Sequence, residues 1–316
     1  MRLNEQNTTA KETRTMNMNA GTSTRRNAIG TAIAAFALVL TAGQLGAATI
    51  ITNWSFDSDF TATTGSSPND AATGSGDPAI SSSGSMLGGG HANFDGDDWL
   101  EVTQLSDYTL GTGQVSYSLW FRDAGSVTSD RLLATGASAN DQEGYALTIA
   151  DRGGAVSGQT NKFFTALTSD GSGRRVQDAN ANGSVDPFGG SWHLVVATMD
   201  NTGSELVMNV YVDGVLETTT SGVNLDGTVD SSVGNTQSDL AIGARDDAAT
   251  NKRPIVGDLD DVAIWDGVLT QNDVDYLWND GSGMSALDVW QIPEPATLAL
   301  LVLGLTTLCG RRRRGK

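Results

Sequence analysis

"GDLDDVAIWDGVLTQNDVDYLWNDG", residues 257–281, carries two periodicities one after the other. Up to Asp266 apolar and polar residues alternate, as in a half-buried strand. From Thr270 the period lengthens: Val274, Leu277 and Trp278 form one helical stripe, Thr270 stands as N-cap, and Asp273 and Asp275 fall in the first turn, where the helix dipole favours acids. Gly281 is expected to end the helix. Alternation sends Leu259, Asp261, Ala263 and Trp265 to one face and Asp258, Asp260, Val262 and Ile264 to the other. On either choice an aspartate joins an apolar face, and a buried carboxylate needs a partner.

The period of two dominates upstream as well. "QVSYSLWF" puts Val115, Tyr117, Leu119 and Phe121 on one face. "ELVMNVYVDGVLETTT" puts Leu206, Met208, Val210 and Val212 on one face and then turns at Asp213-Gly214, a type I′ hairpin dipeptide. "WHLVVATMD", "YALTIA", "KFFTALTS" and "DLAIGA" read as further strands. Segments 61–91 and 169–190 read as irregular. The pattern predicts an all-β sandwich or jelly roll with one short helix near its C-terminal end.

The chain's ends differ from its middle. Arg25 and Arg26 precede a mostly apolar run, 28–40, and the small residues Gly46, Ala47 and Ala48. That is the order of a secretory signal peptide, by the general or the twin-arginine route, with cleavage after Ala47 or Ala48. At the other end, apolar or small residues 296–309 run into Arg311, Arg312, Arg313 and Arg314. A helix of that length reaches roughly 21 Å, short of the ~30 Å hydrocarbon layer, so a permanent anchor is a poor reading. The organisation expected is a leader at 1–48, one domain at 49–290 and a tail at 291–316.

Residues 49–291 hold nine basic residues against 34 acidic ones, a formal charge of −25. Such a surface repels phosphate backbones, which excludes nucleic acid as a partner class and leaves divalent cations open. Only Glu101, Glu143, Glu205 and Glu217 among those acids are Glu, a skew that suits turn-rich β structure. The single cysteine, Cys309, lies in the tail, so the domain has no disulfide.

"WSFD" (54–57), "FDGDDWLEV" (94–102), "SWHLVVATMD" (191–200), "VYVDGVL" (210–216) and residues 257–281 occur in that order, and together they resemble the concanavalin A-like, laminin-G-type jelly-roll domain of exported bacterial proteins. The resemblance implies two face-packed antiparallel sheets of six or seven strands, with first and last strands adjacent. The tail resembles the PEP-CTERM sorting signal: Pro293, Glu294 and Pro295, a short apolar run, then the arginine cluster. That family implies processing by an exosortase, transient insertion of the tail in the inner membrane, and export beside exopolysaccharide in Gram-negative bacteria.

Calcium is the cofactor the sequence suggests, with two candidate sites. Asp57 from the first strand and Asp258, Asp260 and Asp261 from the last adjoin if the jelly roll holds, and several like charges brought together call for a cation or for water. The resemblance implies the same place, since structural calcium in this fold class often joins the terminal strands. "DANANGSVD" places Asp178, Asn180, Asn182, Ser184 and Asp186 at alternate positions of an EF-hand-like loop, but Gly189 stands where a bidentate Glu belongs. Asp95, Asp97 and Asp98 read as a tight acidic turn.

For catalysis, glycoside hydrolysis needs two carboxyl groups about 5 to 9.5 Å apart. None of the four Glu has the Glu-x-Asp-x-x-Glu neighbourhood of retaining hydrolases of this fold, and neither His91 nor His193 adjoins a nucleophile elbow. His193, at a strand start, reads as structural. For binding, Trp99, Trp120 and Trp192 and the basic pair Arg174 and Arg175 are the candidates to meet a glycan, whereas Trp54, Trp265 and Trp278 read as core. The function expected is an exported, non-catalytic, lectin-like component of the cell surface or polysaccharide matrix. A glycan-cleaving enzyme on the same fold and a purely structural surface protein are the competing readings.

Overall fold

A computed structural model describes residues 48–63, 70–102, 113–124, 129–135, 143–151, 162–170, 175–182, 185, 188–222, 240–244 and 253–290. The chain divides into two compact units, Met1–Leu45 and Gly46–Lys316, and every described residue lies in the second. The expected leader up to residue 47 and the tail at 291–316 lie outside the described residues.

Two antiparallel sheets make up the domain. The first is built from β1 (Thr49–Trp54), β3 (Ala79–Ser81), β4 (His91–Asp95), β6 (Gln114–Asp123), β11 (Trp192–Asp200), β12 (Leu206–Val212), β13 (Val215–Gly222) and β15 (Val256–Asp266). Its order is β13-β12-β11-β6-β15-β4-β3, and β1 also pairs with β15. The second runs β10-β9-β8-β7-β14-β5-β2, from β2 (Ala72–Ser75), β5 (Trp99–Val102), β7 (Ser129–Thr135), β8 (Glu143–Asp151), β9 (Lys162–Asp170), β10 (Arg175–Asn182) and β14 (Leu240–Ile242). First and last strands therefore adjoin. The segments that read as irregular contain β2, β3 and β10, short or polar strands without the apolar alternation that marks a strand in sequence.

The strand faces divide as alternation dictates. Val115, Tyr117, Leu119 and Phe121 of β6 join Val195, Ala197 and Met199 of β11 and Leu206, Met208, Val210 and Val212 of β12 in the core between the sheets. Asp213 and Gly214 both take positive φ, 51° and 83°, the backbone of a type I′ turn. At that φ a side chain on Gly214 is strained, and a Cβ there would stand 2.7 Å from the Trp278 ring.

β15 departs from simple alternation. It pairs with β4 over Val256–Leu259 and with β1 over Val262–Asp266, and its register against β6 shifts between Asp260 and Ala263. Asp261 is the extra residue, with φ of 46°. The bulge resets the faces: Leu259, Val262 and Ile264 enter the core, while Ala263 and Trp265 join the outer cluster. The faces expected from strict alternation are thus corrected beyond Asp260, and the sheet keeps every aspartate of this run out of the inter-sheet core.

A third layer covers the outer face of the first sheet. Trp120, Leu194, Val196, Ala263 and Trp265 form a second apolar cluster with Leu269, Val274, Leu277 and Ala286 of the C-terminal segment, and Met86 and Leu87 pack against it. Helix α1 (Gln271–Trp278) starts at a capping box in which Thr270 and Asp273 bond each other's backbone N–H. It ends at Asn279, left-handed at φ 46°, rather than at Gly281 as expected, because Asn tolerates this conformation. Trp278 stacks on Trp120 with centroids 5.6 Å apart, a pair that contributes about 1 kcal/mol beyond area burial. A five-residue helix, α2 (Ala286–Trp290), follows.

Candidate functional site

Asp258, Asp260 and Asp261 of β15 are buried, and each carboxylate is engaged by different protein donors. Asp258 Oδ2 accepts from Arg122 Nε at 2.8 Å and contacts its Nη2 at 2.7 Å, while Oδ1 accepts from Asn93 Nδ2 at 2.7 Å. Register explains the meeting, since Asp258 stands opposite Arg122 on β6 and Asn93 on β4. The guanidinium lies 4.7 Å from the Trp192 ring centroid, and Arg122 Nη1 and Trp192 Nε1 both donate to the Gly84 carbonyl at 2.9 Å. His91 Nε2 sits 3.4 Å from Asp258 Oδ1 and packs edge-on to Trp192. Burial pushes its pKa down against the pull of Asp258.

Asp260 is fully buried, and its Oδ2 accepts from the backbone N–H groups of Met86 and Leu87, each at 2.9 Å. Burial, with the charge of Asp261 beside it, pushes its pKa up to about 8 against those hydrogen bonds, so at neutral pH it is mostly the uncharged acid. Asp261 is 3% exposed. Its Oδ1 accepts from Asn53 Nδ2 at 3.0 Å and Ser285 Oγ at 3.3 Å, and its Oδ2 accepts from the Ala286 N–H at 2.7 Å. Burial raises its pKa to about 6, opposed by those bonds and assisted by the charge of Asp57. Asp57 itself accepts from the Gly89 N–H. The loop approaches closely there, because a Cβ at Gly90 would stand 2.7 Å from the carbonyls of both Phe56 and Asp57.

The first calcium candidate is not assembled as one site. Asp57, Asp258, Asp260 and Asp261 do not converge on one point, and Arg122, Asn53 and the amides of residues 86, 87, 89 and 286 take the place of a cation. In the second candidate, Asp178, Asn180 and Asn182 lie in β10, paired in register with Leu167, Thr165 and Phe163 of β9. An extended, paired strand cannot wrap an ion as an EF-hand loop does. Ser184 and Asp186 lie outside the described residues. Among the described residues, one acidic group has ligand atoms all within 4.8 Å of one another: Asp77, Asp95, Asp97 and Asp98. Asp98, 2% exposed, accepts from the N–H groups of Asp77 and Asp95 at 2.7 and 2.9 Å, and so holds the acidic turn together. A hydrogen bond with Asp95 and that group's charge push the Asp97 pKa up.

The glycan candidates separate in the same way. Trp120 is buried beneath Trp278, which removes it as a platform. Trp99 on β5 is half-buried, its ring lying against Gly74, where a Cβ would stand 2.1 Å from Nε1. Arg175 opens the edge strand β10, and Arg174 lies outside the described residues. His193 is 2.8 Å from Asp213 Oδ2 through Nδ1, while Asp213 Oδ1 accepts the Leu194 N–H, so the histidine anchors the β12–β13 hairpin to β11. Sequence reasoning passed over Arg122; the signal was a lone cation within an apolar strand of an acidic domain.

Two face-packed sheets with adjoining terminal strands and a covered outer face define a jelly-roll sandwich. The chain belongs to the concanavalin A-like lectin/glucanases superfamily, whose laminin-G-type family matches residues 94–275. A PEP-CTERM protein-sorting motif matches residues 291–314, and such a motif marks an exported protein. No protein of curated function matches the chain. Among solved structures it is similar to botulinum neurotoxin type C, whose uptake into cells is described as dependent upon interaction with two ganglioside molecules: 15% identity, TM-score 0.51, 74% of this chain and 51% of that one. It is also similar to the binding domain of botulinum neurotoxin DC in complex with SialylT, at 16% identity and TM-score 0.51, covering 73% of this chain and 51% of that one. The chain thus spans about half the length of these structures, and the likeness is one of fold. Among the described residues no helix is long and apolar enough to cross a membrane; the expected membrane segment of the tail lies outside them.

Proposed function

We propose that the chain is an exported, non-catalytic, lectin-like domain that binds a glycan of the cell surface or extracellular polysaccharide matrix and is processed through its tail by an exosortase-type enzyme. The observation that carries this reading is a concanavalin A-like sandwich whose described part ends in a helix at Trp290, directly before a sorting motif that begins at residue 291. The fold's neighbours interact with ganglioside molecules and SialylT, which supports a sugar as ligand class. Asp258, Asp260 and Asp261 speak against hydrolysis by that set, because each is nearly inaccessible to solvent and already bonded within the protein. Trp99, half-buried on the second sheet, is the sequence-identified aromatic best able to meet a sugar ring. Calcium carries none of this reading; among the described residues the acidic group at Asp77, Asp95, Asp97 and Asp98 is the one whose ligand atoms lie close enough together to share an ion.

The test is a glycan array with the purified mature domain and with Trp99→Ala, beside an assay of polysaccharide chain length. Binding weakened by Trp99→Ala without chain shortening supports the proposal. Chain cleavage abolished by one point substitution would establish the enzyme instead, and an array without binding the purely structural protein.

A further inference from the structure

Trp99 stands at an acidic corner of the sandwich. It opens β5 opposite Ser75 of β2, half-buried, and the residue before it is Asp98. A side chain at Gly74 would collide with the Trp99 ring, and one at Gly76 with the Asp98 carboxylate. Ring and carboxylate therefore lie against backbone points two residues apart, about 7 Å at full extension, a span that one substituted sugar ring can bridge. Asp98 accepts the N–H groups of Asp77 and Asp95, and so draws the exposed Asp77, Asp95 and Asp97 around it, with ligand atoms all within 4.8 Å of one another. Glu101, two residues along β5 and so on the same face as Trp99, adds another carboxylate.

Among the described residues no basic side chain pairs with Asp77, Asp95, Asp97 or Asp98. A hydrogen bond with Asp95 and the charges around it push the Asp97 carboxyl up. Of the described cations in the second sheet, Arg131 is buried, and Lys162 on β9 and Arg175 on β10 lie toward the opposite edge from β5. The order β9-β8-β7-β14-β5 puts about 19 Å between β5 and β9, against a Debye length of about 8 Å at physiological salt. In the first sheet Arg122 is committed to Asp258. The wider domain carries the same sign, with a formal charge of −25 over residues 49–291.

We propose that the glycan received at Trp99 is a polysaccharide of amino sugars with free amines, its ammonium groups seated among Asp77, Asp95 and Asp97. The inference rests on the reading of Trp99 as the sugar platform. An indole face takes both the apolar side of a sugar and a cation carried on it, and a primary ammonium has three N–H donors for the exposed carboxylates. Asp98 keeps its backbone partners and holds the turn in shape. A uronic-acid polymer would bring its own carboxylates against this group and is repelled. A neutral sugar gains the ring alone, and a bare metal ion the acids alone; the amino sugar uses both.

The test measures binding of the full-length chain to a glucosamine oligomer, to the fully N-acetylated oligomer of the same length, and to oligogalacturonate with and without calcium. The glucosamine oligomer is expected to bind roughly tenfold more tightly than the acetylated one, because one exposed charge pair contributes up to about fivefold and more than one carboxylate is within reach. That advantage is expected to vanish near 1 M salt, where the Debye length is about 3 Å. Trp99→Ala is expected to weaken both oligomers. Asp95→Asn joined to Asp97→Asn keeps the oxygen that accepts the Asp97 N–H and is expected to weaken the glucosamine oligomer alone. Equal binding of the two oligomers overturns the proposal, as does equal weakening by Asp280→Asn, an exposed acid beyond α1, which marks the domain's general charge. Tighter binding of oligogalacturonate, with or without calcium and still dependent on Trp99, overturns the amine and leaves the platform standing. If no oligomer binds, or Trp99→Ala changes nothing, the platform itself was misread and the proposal falls with it.

Discussion

Asp260→Asn tests the buried acid under the 86–87 loop. In the unfolded chain this carboxyl titrates near 3.8, and in the fold near 8, because burial disfavours the charged form. A raised carboxyl pKa stabilises the fold below the unfolded value, and that contribution is lost as pH climbs to the folded value. At about 1.4 kcal/mol per pH unit the loss between pH 4 and pH 8 is on the order of 5 kcal/mol. Asn keeps an oxygen for the Met86 and Leu87 amides and carries no charge, so the variant is spared this loss. The assay is urea unfolding of wild type and variant from pH 4 to pH 9. Taking the difference between the two cancels the contributions of titrating groups that Asp260 does not touch, such as the opposite slope from His91, whose pKa burial lowers. The variant is expected to gain on wild type steadily between pH 4 and 8 and to be the more stable protein at pH 9. Parallel profiles, with the variant equal or weaker at pH 9, would refute the reasoning.

Further tests follow from the Arg122–Asp258 pair and from the acidic turn. Arg122→Met leaves Asp258 buried without its cation and is expected to cost about 3 kcal/mol, most of it recovered when Asp258→Asn is added; chemical denaturation of the single and double variants checks this. A chelator is expected to leave the melting temperature unchanged as far as the β15 carboxylates are concerned, since protein donors occupy them. A rise in melting temperature on adding calcium that vanishes in Asp97→Asn would place an ion at the acidic turn instead.

Much of this domain was legible in its sequence because the signals that specify it are local. The alternating faces of β6 and β12, the Asp213-Gly214 turn and the Thr270 cap each depend on residues within a few positions of one another. Those readings hold. What was not legible is what meets the β15 acids, because the donors that neutralise or bond the carboxylates are remote in sequence: Arg122 lies 136 residues from Asp258, and Asn53 208 residues from Asp261. A lone cation in an apolar strand marks Arg122 as unusual, but nothing local says which acid it meets. The bulge at Asp261 was equally hidden, yet it explains why three aspartates sit together: one extra residue turns the face at the point where β15 exchanges β4 for β1 as neighbour. Once the face has turned, Asp258 holds sheet strands together, Asp260 holds the 86–87 loop, and Asp261 holds the segment that leads to the sorting tail. The acidic run thus works as three separate fasteners, each bonded to a different part of the chain.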